Sequence, residues 1–397
     1  MLSFEDALEK VLANFQPMKA VETNLNECLG AVLAEDTPAL LNQPPHAVSA
    51  MDGYAVKAAD TNNLSPLKLI GASSAGHPFA GKMQSGECVR IFTGAYLPNG
   101  ADAVLIQEDT RVDSGNIQPT ECVGAGKFVR PKGLDFTKGD VLEKGTVLTS
   151  RALSLAASYN HNAVKIHTRP RIAILSSGDE IKLPGSQLIK GQIVSSNHIA
   201  LSALVKLAGG EPTFLGIAPD ELKATENLID KARGYDLLLT TGGASVGDHD
   251  LMKQAFINQG AQLDFWKIAM KPGKPMIFGA LGDTPVLGLP GNPVSSYITA
   301  LLFAFPAIRR MFGHADLKLP TCKAVLKEDL RANRDRREFR RIRLEPHPDG
   351  TLQCSAYGNQ DSSMLSRLSE ADGLINVAPF AELVEAGTEV KVLRFPD

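Results

Sequence analysis

The sequence predicts a multidomain chain of the α/β plus β class: a doubly wound α/β domain, a β-rich domain inserted ahead of it, and a small β domain at the C-terminal end. Three observations carry the prediction. From Arg171 onward, apolar runs of strand length alternate with helical patterns, which requires crossover connections and a parallel sheet. Residues 42–136 are rich in Gly and Pro and hold only short apolar runs, such as 88–92 and 103–106, the pattern of short strands and turns. Residues 316–397 have short strand-like runs and turns around a basic stretch at 331–343.

The first element is an amphipathic helix over 3–15. Phe4, Ala7, Leu8, Val11, Leu12 and Phe15 recur at helical spacing, Ser3 and Asp6 form a capping box, and Pro17 lies beyond the end. A helix this short needs partners, from elsewhere in the chain or from a second subunit. Residues 137–165, with a helix over 150–160, rejoin it. Segments 1–41 and 137–165 thus form one discontinuous helical, linking domain around the insertion at 42–136. The α/β domain, 166–315, reads as strand 171–176, helix 197–207, strand 213–217, helix 221–232, strand 236–240 and a helix from about 249. Apolar segments at 265–269, 276–279 and 286–289 follow, then a long helix over 293–311.

Composition excludes several classes of function. The 397 residues carry 41 Lys+Arg against 44 Asp+Glu, a net charge of −3, so no global field attracts nucleic acid or an anionic membrane. No apolar run reaches the ~20 residues that span a bilayer, and the longest, 298–308, contains Pro306. The opening MLSFEDALEK is acidic and lacks the regions of a secretory leader. Cys28, Cys88, Cys122, Cys322 and Cys354 are odd in number and never in CxxC spacing, which argues against a disulfide framework or cysteine zinc site. A soluble, cytoplasmic protein is expected.

In an open α/β sheet, ligands bind beyond the carboxyl ends of the strands. Three such ends are unusual: Ser176-Ser177-Gly178-Asp179-Glu180, the stretch from Thr240 to Asp250, and Leu289-Pro290-Gly291-Asn292-Pro293. Thr241-Gly242-Gly243-Ala244-Ser245 reads as a phosphate cradle, because glycines admit close backbone approach and a helix start offers free N–H groups. It is neither a Walker A loop nor a GxGxxG fingerprint, and taken alone it fits a tight turn with a capped helix equally well. Asp179, Glu180, Asp220, Asp248 and Asp250 lie at or near these ends. Acids around an anion require a hard cation such as Mg²⁺ to bridge them, although Asp220 or Asp248 taken singly fits a capping or solvated role.

Lys267, Lys271 and Lys274 surround a strand and turn. Lys267 and Lys271 are four apart and would share a strand face, an arrangement that suits an oxyanion as well as a solvated basic turn. Arg331, Arg334, Arg336, Arg337, Arg340, Arg341 and Arg343 fit an anion-facing strand edge better than a nucleic-acid patch, with most of them solvated. His46, His77, His161 and His198 are isolated, so no histidine metal site is expected.

Taken in order, these motifs resemble the molybdopterin molybdenumtransferase family, the MoeA proteins and the E domain of gephyrin. The resemblance rests on SAMDGYAV at 49–56, IFTGA at 91–95, SGDE at 177–180, TGGASVGD at 241–248, KPGKP at 271–275 and LPGNPV at 289–294, and it covers nearly the whole chain. It implies an elongated four-part subunit with a MogA-like α/β domain and a C-terminal β-barrel. It further implies a homodimer whose active site joins the α/β domain of one subunit to the inserted domain of the other. The implied reaction inserts molybdate into adenylylated molybdopterin with Mg²⁺-dependent release of AMP. Carried over motif by motif, Asp52 and Thr93 act from the inserted domain, while Glu180, Asp220 and Asp250 position Mg²⁺. Asp52, Lys267 and Lys271 frame the molybdate; Gly242, Gly243, Ser245 and Lys274 hold phosphate; Pro290 and Pro293 shape the wall; Arg341 and Ser362 come from the C-terminal domain. His249, Ile342 and Asp361 depart from the family's usual Tyr, Gly and Gly, and Asp361 bears on the loop before Ser362.

Two other functions are weighed against this one. A molybdopterin adenylyltransferase would share the α/β domain, but its turn differs and its single-domain size leaves more than half of the chain unexplained. A non-catalytic scaffold of the gephyrin type would need a linker or partner-binding extension that the sequence does not show. Transient contacts with the adenylyltransferase and with molybdoenzyme maturation proteins are the partners expected, with no nucleic acid and no membrane.

Overall fold

The N-terminal helix forms where its spacing demands. In the computed structural model, which describes residues 1–242 and 251–396, α1 spans Phe4–Ala13. Ser3 Oγ accepts the Asp6 N–H at 3.1 Å, and among the described residues only this half of the expected capping box is made. The partners are internal. Ala7 and Val11 are buried in the α/β core, and Phe4 packs edge-on against Phe303 and Phe339, with ring centroids 5.3 and 5.1 Å apart.

After β1 (Ala20–Asn24) comes the inserted sheet: β2 (Gly53–Val56), β3 (Leu67–Ser73), β4 (Glu87–Ile91), β5 (Ala103–Ile106), β6 (Thr110–Asp113) and β7 (Asn116–Pro119), in the order β5-β2-β4-β3-β7-β6. The chain then returns through α2 (Ser150–Ser158), which Thr149 caps, to β8 (Ala163–His167), antiparallel to β1.

The α/β domain runs β9 (Arg171–Ser177), α3 (Asn197–Leu207), β10 (Glu211–Ala218), α4 (Leu222–Asp230), β11 (Leu237–Thr241), α5 (Leu251–Asn258), β12 (Gln262–Lys267), β13 (Met270–Lys271), β14 (Pro275–Leu281), β15 (Thr284–Leu289), α6 (Pro293–Thr299) and α7 (Phe305–Met311). The sheet order is β10-β9-β11-β15-β14-β12. Strand residues alternate between two cores, Ile172, Ile174, Leu237 and Leu239 on one face and Ala173, Leu175 and Leu238 on the other, so helices cover both faces. The expected parallel sheet is present and carries one reversed strand. β10, β9, β11 and β15 are parallel, β14 runs against them beside β15, and β12, antiparallel to β14, runs in the direction of the parallel set. The cause is connection length: only Gly282 and Asp283 separate β14 from β15, room for a hairpin and none for a crossover helix.

The expected long helix over 293–311 is interrupted by one wide π turn, Ala300–Ala304, just ahead of Pro306, whose missing N–H cannot serve the preceding turn. Among the described residues no helix is long and apolar enough to cross a membrane.

Five strands close the C-terminal barrel: β16 (Thr321–Leu326), β17 (Arg337–Pro346), β18 (Leu352–Ala356), β19 (Gly373–Val377) and β20 (Glu389–Arg394), in the cyclic order β17-β18-β16-β20-β19-β17. Ile342, Cys354 and Val392 lie in its core. From the α/β domain, β13 reaches over and pairs with β17 in parallel. Lys267 and Lys271 therefore do not share a strand face, as their spacing predicts. Lys267 ends β12, and the chain crosses to the barrel before Lys271.

Candidate active site

β9 connects to β10 on one side and the chain then crosses to β11 on the other, so the strand order switches direction at β9. A cleft of about 1350 Å³ opens at the carboxyl ends of these strands and against the barrel. Its floor is backbone. Gly242 follows β11 with φ +87°, and a Cβ there would run into the Ser177 carbonyl, so only glycine closes this turn. Asn197 Nδ2 donates to Thr241 Oγ1 and to the Gly291 carbonyl, both at 2.8 Å, binding the start of α3 to the LPGNP turn. Pro290 and Pro293 form the wall beside it.

Glu180 and Asp220 line the acidic side of the cleft. Asp179 does not act with them: its carboxylate accepts the Asp220 N–H at 3.0 Å and holds that loop. Two exposed carboxylates lining one cleft suit Mg²⁺, a hard cation that takes one or two carboxylates and completes its shell with phosphate and water. Asp250, Gly243 and Ser245 lie outside the described residues, as do Asp248 and His249.

The basic side is supplied by Lys271, Lys274 and Arg336. Lys267 is exposed and does not line the cleft. Lys271 Nζ meets Glu338 Oε1 at 2.8 Å, and Arg340 binds the other Glu338 oxygen through Nε and Nη2 at 2.8 and 2.7 Å. Burial works to raise the Glu338 carboxyl, but the hydrogen bonds from Lys271 and Arg340 outweigh it and hold the group below the usual carboxylate range.

Ser362 lies at the cleft rim, where its Oγ accepts from Asn292 Nδ2 at 2.9 Å and its carbonyl from the Val294 N–H at 3.1 Å. Arg341 is placed differently from the expected ligand contact. It is 1% exposed, and its guanidinium donates to Gln360 Oε1, the Asp361 carbonyl and the Met364 carbonyl at 3.3, 2.9 and 3.1 Å. It holds the loop that carries Ser362. The arginine run is less solvated than expected, since Arg340 and Arg341 are buried and Arg336 and Arg337 half-buried.

Asp52 and Thr93 meet on the inserted domain, outside this cleft. Asp52 Oδ1 accepts both the backbone N–H and the hydroxyl of Thr93 at 2.8 Å. These bonds, the backbone one foremost, hold its carboxyl below the ordinary range, with Arg90 adding to the effect.

The sequence marks the turn that holds Asn292 but gives no role to Asn197, Asn292, Gln360 or Glu338. The Glu338–Arg340 pair carried a usable signal, because opposite charges two residues apart on a strand share a face.

Three family models match in order: the MoeA N-terminal region, domains I and II, over residues 2–160; a probable molybdopterin binding domain over 173–310; and the MoeA C-terminal region, domain IV, over 323–395. The molybdopterin molybdenumtransferase of Haemophilus influenzae is 35% identical over 400 residues, covering 100% of this chain and 99% of that one. The chain belongs to the MoeA family. It is a transferase of molybdenum cofactor biosynthesis. The molybdopterin molybdenumtransferase 2 of Mycobacterium tuberculosis H37Rv is 33% identical, covering 99% of each chain. A crystal structure of the Pyrococcus horikoshii molybdopterin biosynthesis MoeA protein superposes with a TM-score of 0.86 at 33% identity, covering 99% of each chain.

Two departures from the MoeA pattern now have physical explanations. Asp361 is not in the left-handed backbone region, and its carboxylate accepts the Ser363 N–H and hydroxyl at 2.8 and 2.6 Å. It therefore caps the turn that a glycine would leave open. Ile342 is fully buried in the MoeA barrel core.

Proposed function

We propose that this chain inserts molybdate into adenylylated molybdopterin, releasing AMP and metal-loaded cofactor, as a cytoplasmic homodimer that requires Mg²⁺. The observation that carries this reading is the gathering of both charges in one cleft, where Lys271, Lys274 and Arg336 line the same space as Glu180, Asp220 and Asp361 at the sheet's switch point.

In this reading the Gly242 turn and Lys274 take the phosphate groups, since a backbone without Cβ and a flexible ammonium both admit close approach. Lys271 and Arg336 offer donors to the oxyanion. Glu180 and Asp220 would hold Mg²⁺, which when bound would neutralise the phosphates and support cleavage of the phosphoanhydride. Water enters the phosphoanhydride as AMP leaves, and the two dithiolene sulfurs displace oxygens of molybdate, which depart with protons as water. Asp52 and Thr93 belong to the second half of the site, brought by the inserted domain of a second copy. Substrate arrives by transient contact with the adenylyltransferase, and product leaves to molybdoenzyme maturation proteins.

The test is incubation of the purified protein with adenylylated molybdopterin, Mg²⁺ and molybdate, following AMP and metal-loaded cofactor together. Equal, molybdate-dependent formation of both is expected. No AMP release from a folded protein that binds the pterin refutes the reaction. Hybrid dimers of Asp52→Ala and Lys271→Ala chains test the shared site. At low molybdate they are more active than either parent, and activity no higher than the parents' refutes the sharing.

A further inference from the structure

Glu338 stands outside the motifs that define the cleft, yet it joins the two domains that form it. β13 pairs with β17 at Met270↔Arg337 and Lys271↔Glu338, and the Arg337 N–H donates to the Ala269 carbonyl at 3.0 Å. The Glu338 side chain, 8% exposed, sits between Lys271 and Arg340. Arg340 in turn donates to the Arg331 and Ala332 carbonyls at 2.6 and 3.3 Å. A continuous row thus runs from the barrel wall to the cleft: carbonyls, guanidinium, carboxylate, ammonium.

The charges in this row do not cancel. Two cations share one carboxylate, and Arg340 claims one of its oxygens with two N–H groups. Lys271 receives the other oxygen alone, and its side chain remains 52% exposed and lines the cleft as well as the hollow beside it. It keeps positive charge for an anion while losing the freedom of its four-carbon stem. A second hollow of about 570 Å³ adjoins the cleft and shares Lys271, Arg336 and Gln360 with it; Glu338 and Arg340 line this hollow and not the cleft, so the Glu338 bond holds Lys271 where the two spaces meet and an unheld ammonium would have both open to it.

We propose that Glu338 is a positioning residue of the transfer reaction, fixing the Lys271 ammonium where the oxyanion substrate is received and tying that position to the barrel through Arg340. The inference rests on the reading of Lys271 given above.

Glu338→Gln tests it. An amide has one acceptor oxygen and one NH₂, which cannot serve two donors as the carboxylate does. In steady-state assays the KM for molybdate rises about tenfold, with kcat within about twofold of wild type. Lys271→Ala raises the same KM, and adding Glu338→Gln to it produces no further rise. Glu338→Asp keeps the charge and the Arg340 bond but is one methylene short of Lys271. It gives an intermediate KM at near-normal thermal stability and carries the same cycle if Glu338→Gln does not fold. An unchanged KM in Glu338→Gln overturns the proposal. So does an equal further rise in the Lys271→Ala background, which would make Glu338 general support for the barrel. A wild-type KM in Lys271→Ala alone instead refutes the functional reading beneath it, so the two failures are distinguishable.

Discussion

Arg341→Met separates holding a loop from touching a ligand. The Arg341 guanidinium makes three contacts to the loop before and after Ser362, to Gln360, Asp361 and Met364. Enclosed bonds from a charged donor contribute about 1.5–3 kcal/mol each. Here Asp361 is exposed and Met364 half-buried, so water replaces part of what is lost. A figure of about 1 kcal/mol per contact follows, or about 3 kcal/mol in all, roughly a hundredfold in the local opening equilibrium. Methionine fills much of the vacated volume, which keeps a cavity from dominating the result. The assay is amide hydrogen exchange across 357–364 alongside the KM for molybdate. Protection in that loop is expected to fall about a hundredfold while the barrel strands keep theirs, and KM rises with the loss of order. Unchanged loop protection with a raised KM would refute the reasoning and make the guanidinium a ligand contact.

Gly242→Ala forces a Cβ toward the Ser177 carbonyl at positive φ. It lowers the urea stability of the α/β domain by about 1–3 kcal/mol and abolishes turnover; a stable, active variant would contradict the turn's role. Glu338 has a depressed carboxyl, so its contribution is complete above the unfolded value of about 4.3 and is lost as pH falls through the lower folded value. The stability gap between wild type and Glu338→Gln is therefore constant from pH 7 to about pH 5 and closes below about pH 4, and a gap still full at pH 3 would contradict this. Glu180→Ala and Asp220→Ala each raise the Mg²⁺ needed for half-maximal AMP release by about tenfold or more. An unchanged Mg²⁺ titration removes that residue from the metal site.

Local pattern made much of this molecule legible. The helix over 197–207 and the strands from Arg171 follow from apolar periodicity, and glycine and proline at strand ends marked the cleft. What depends on distant pairing was not legible. The spacing of Lys267 and Lys271 says nothing of the chain's passage from one sheet to another between them, which is fixed by the pairing of Met270–Lys271 with the barrel. The reversal of β14 against β15 follows from a connection length, not from any property of the strands themselves. Arg336 and Arg341 are chemically identical in sequence. Only barrel closure sends one to the cleft and folds the other into a loop.

The most direct test is single-turnover release of AMP from adenylylated molybdopterin as molybdate is titrated, in wild type and in Lys271→Ala. Wild-type release is expected to depend on molybdate and to match metal-loaded cofactor mole for mole, with the Lys271→Ala curve shifted to higher molybdate. AMP release that ignores molybdate, or an unshifted Lys271→Ala curve, would contradict the assignment of this cleft to molybdenum insertion.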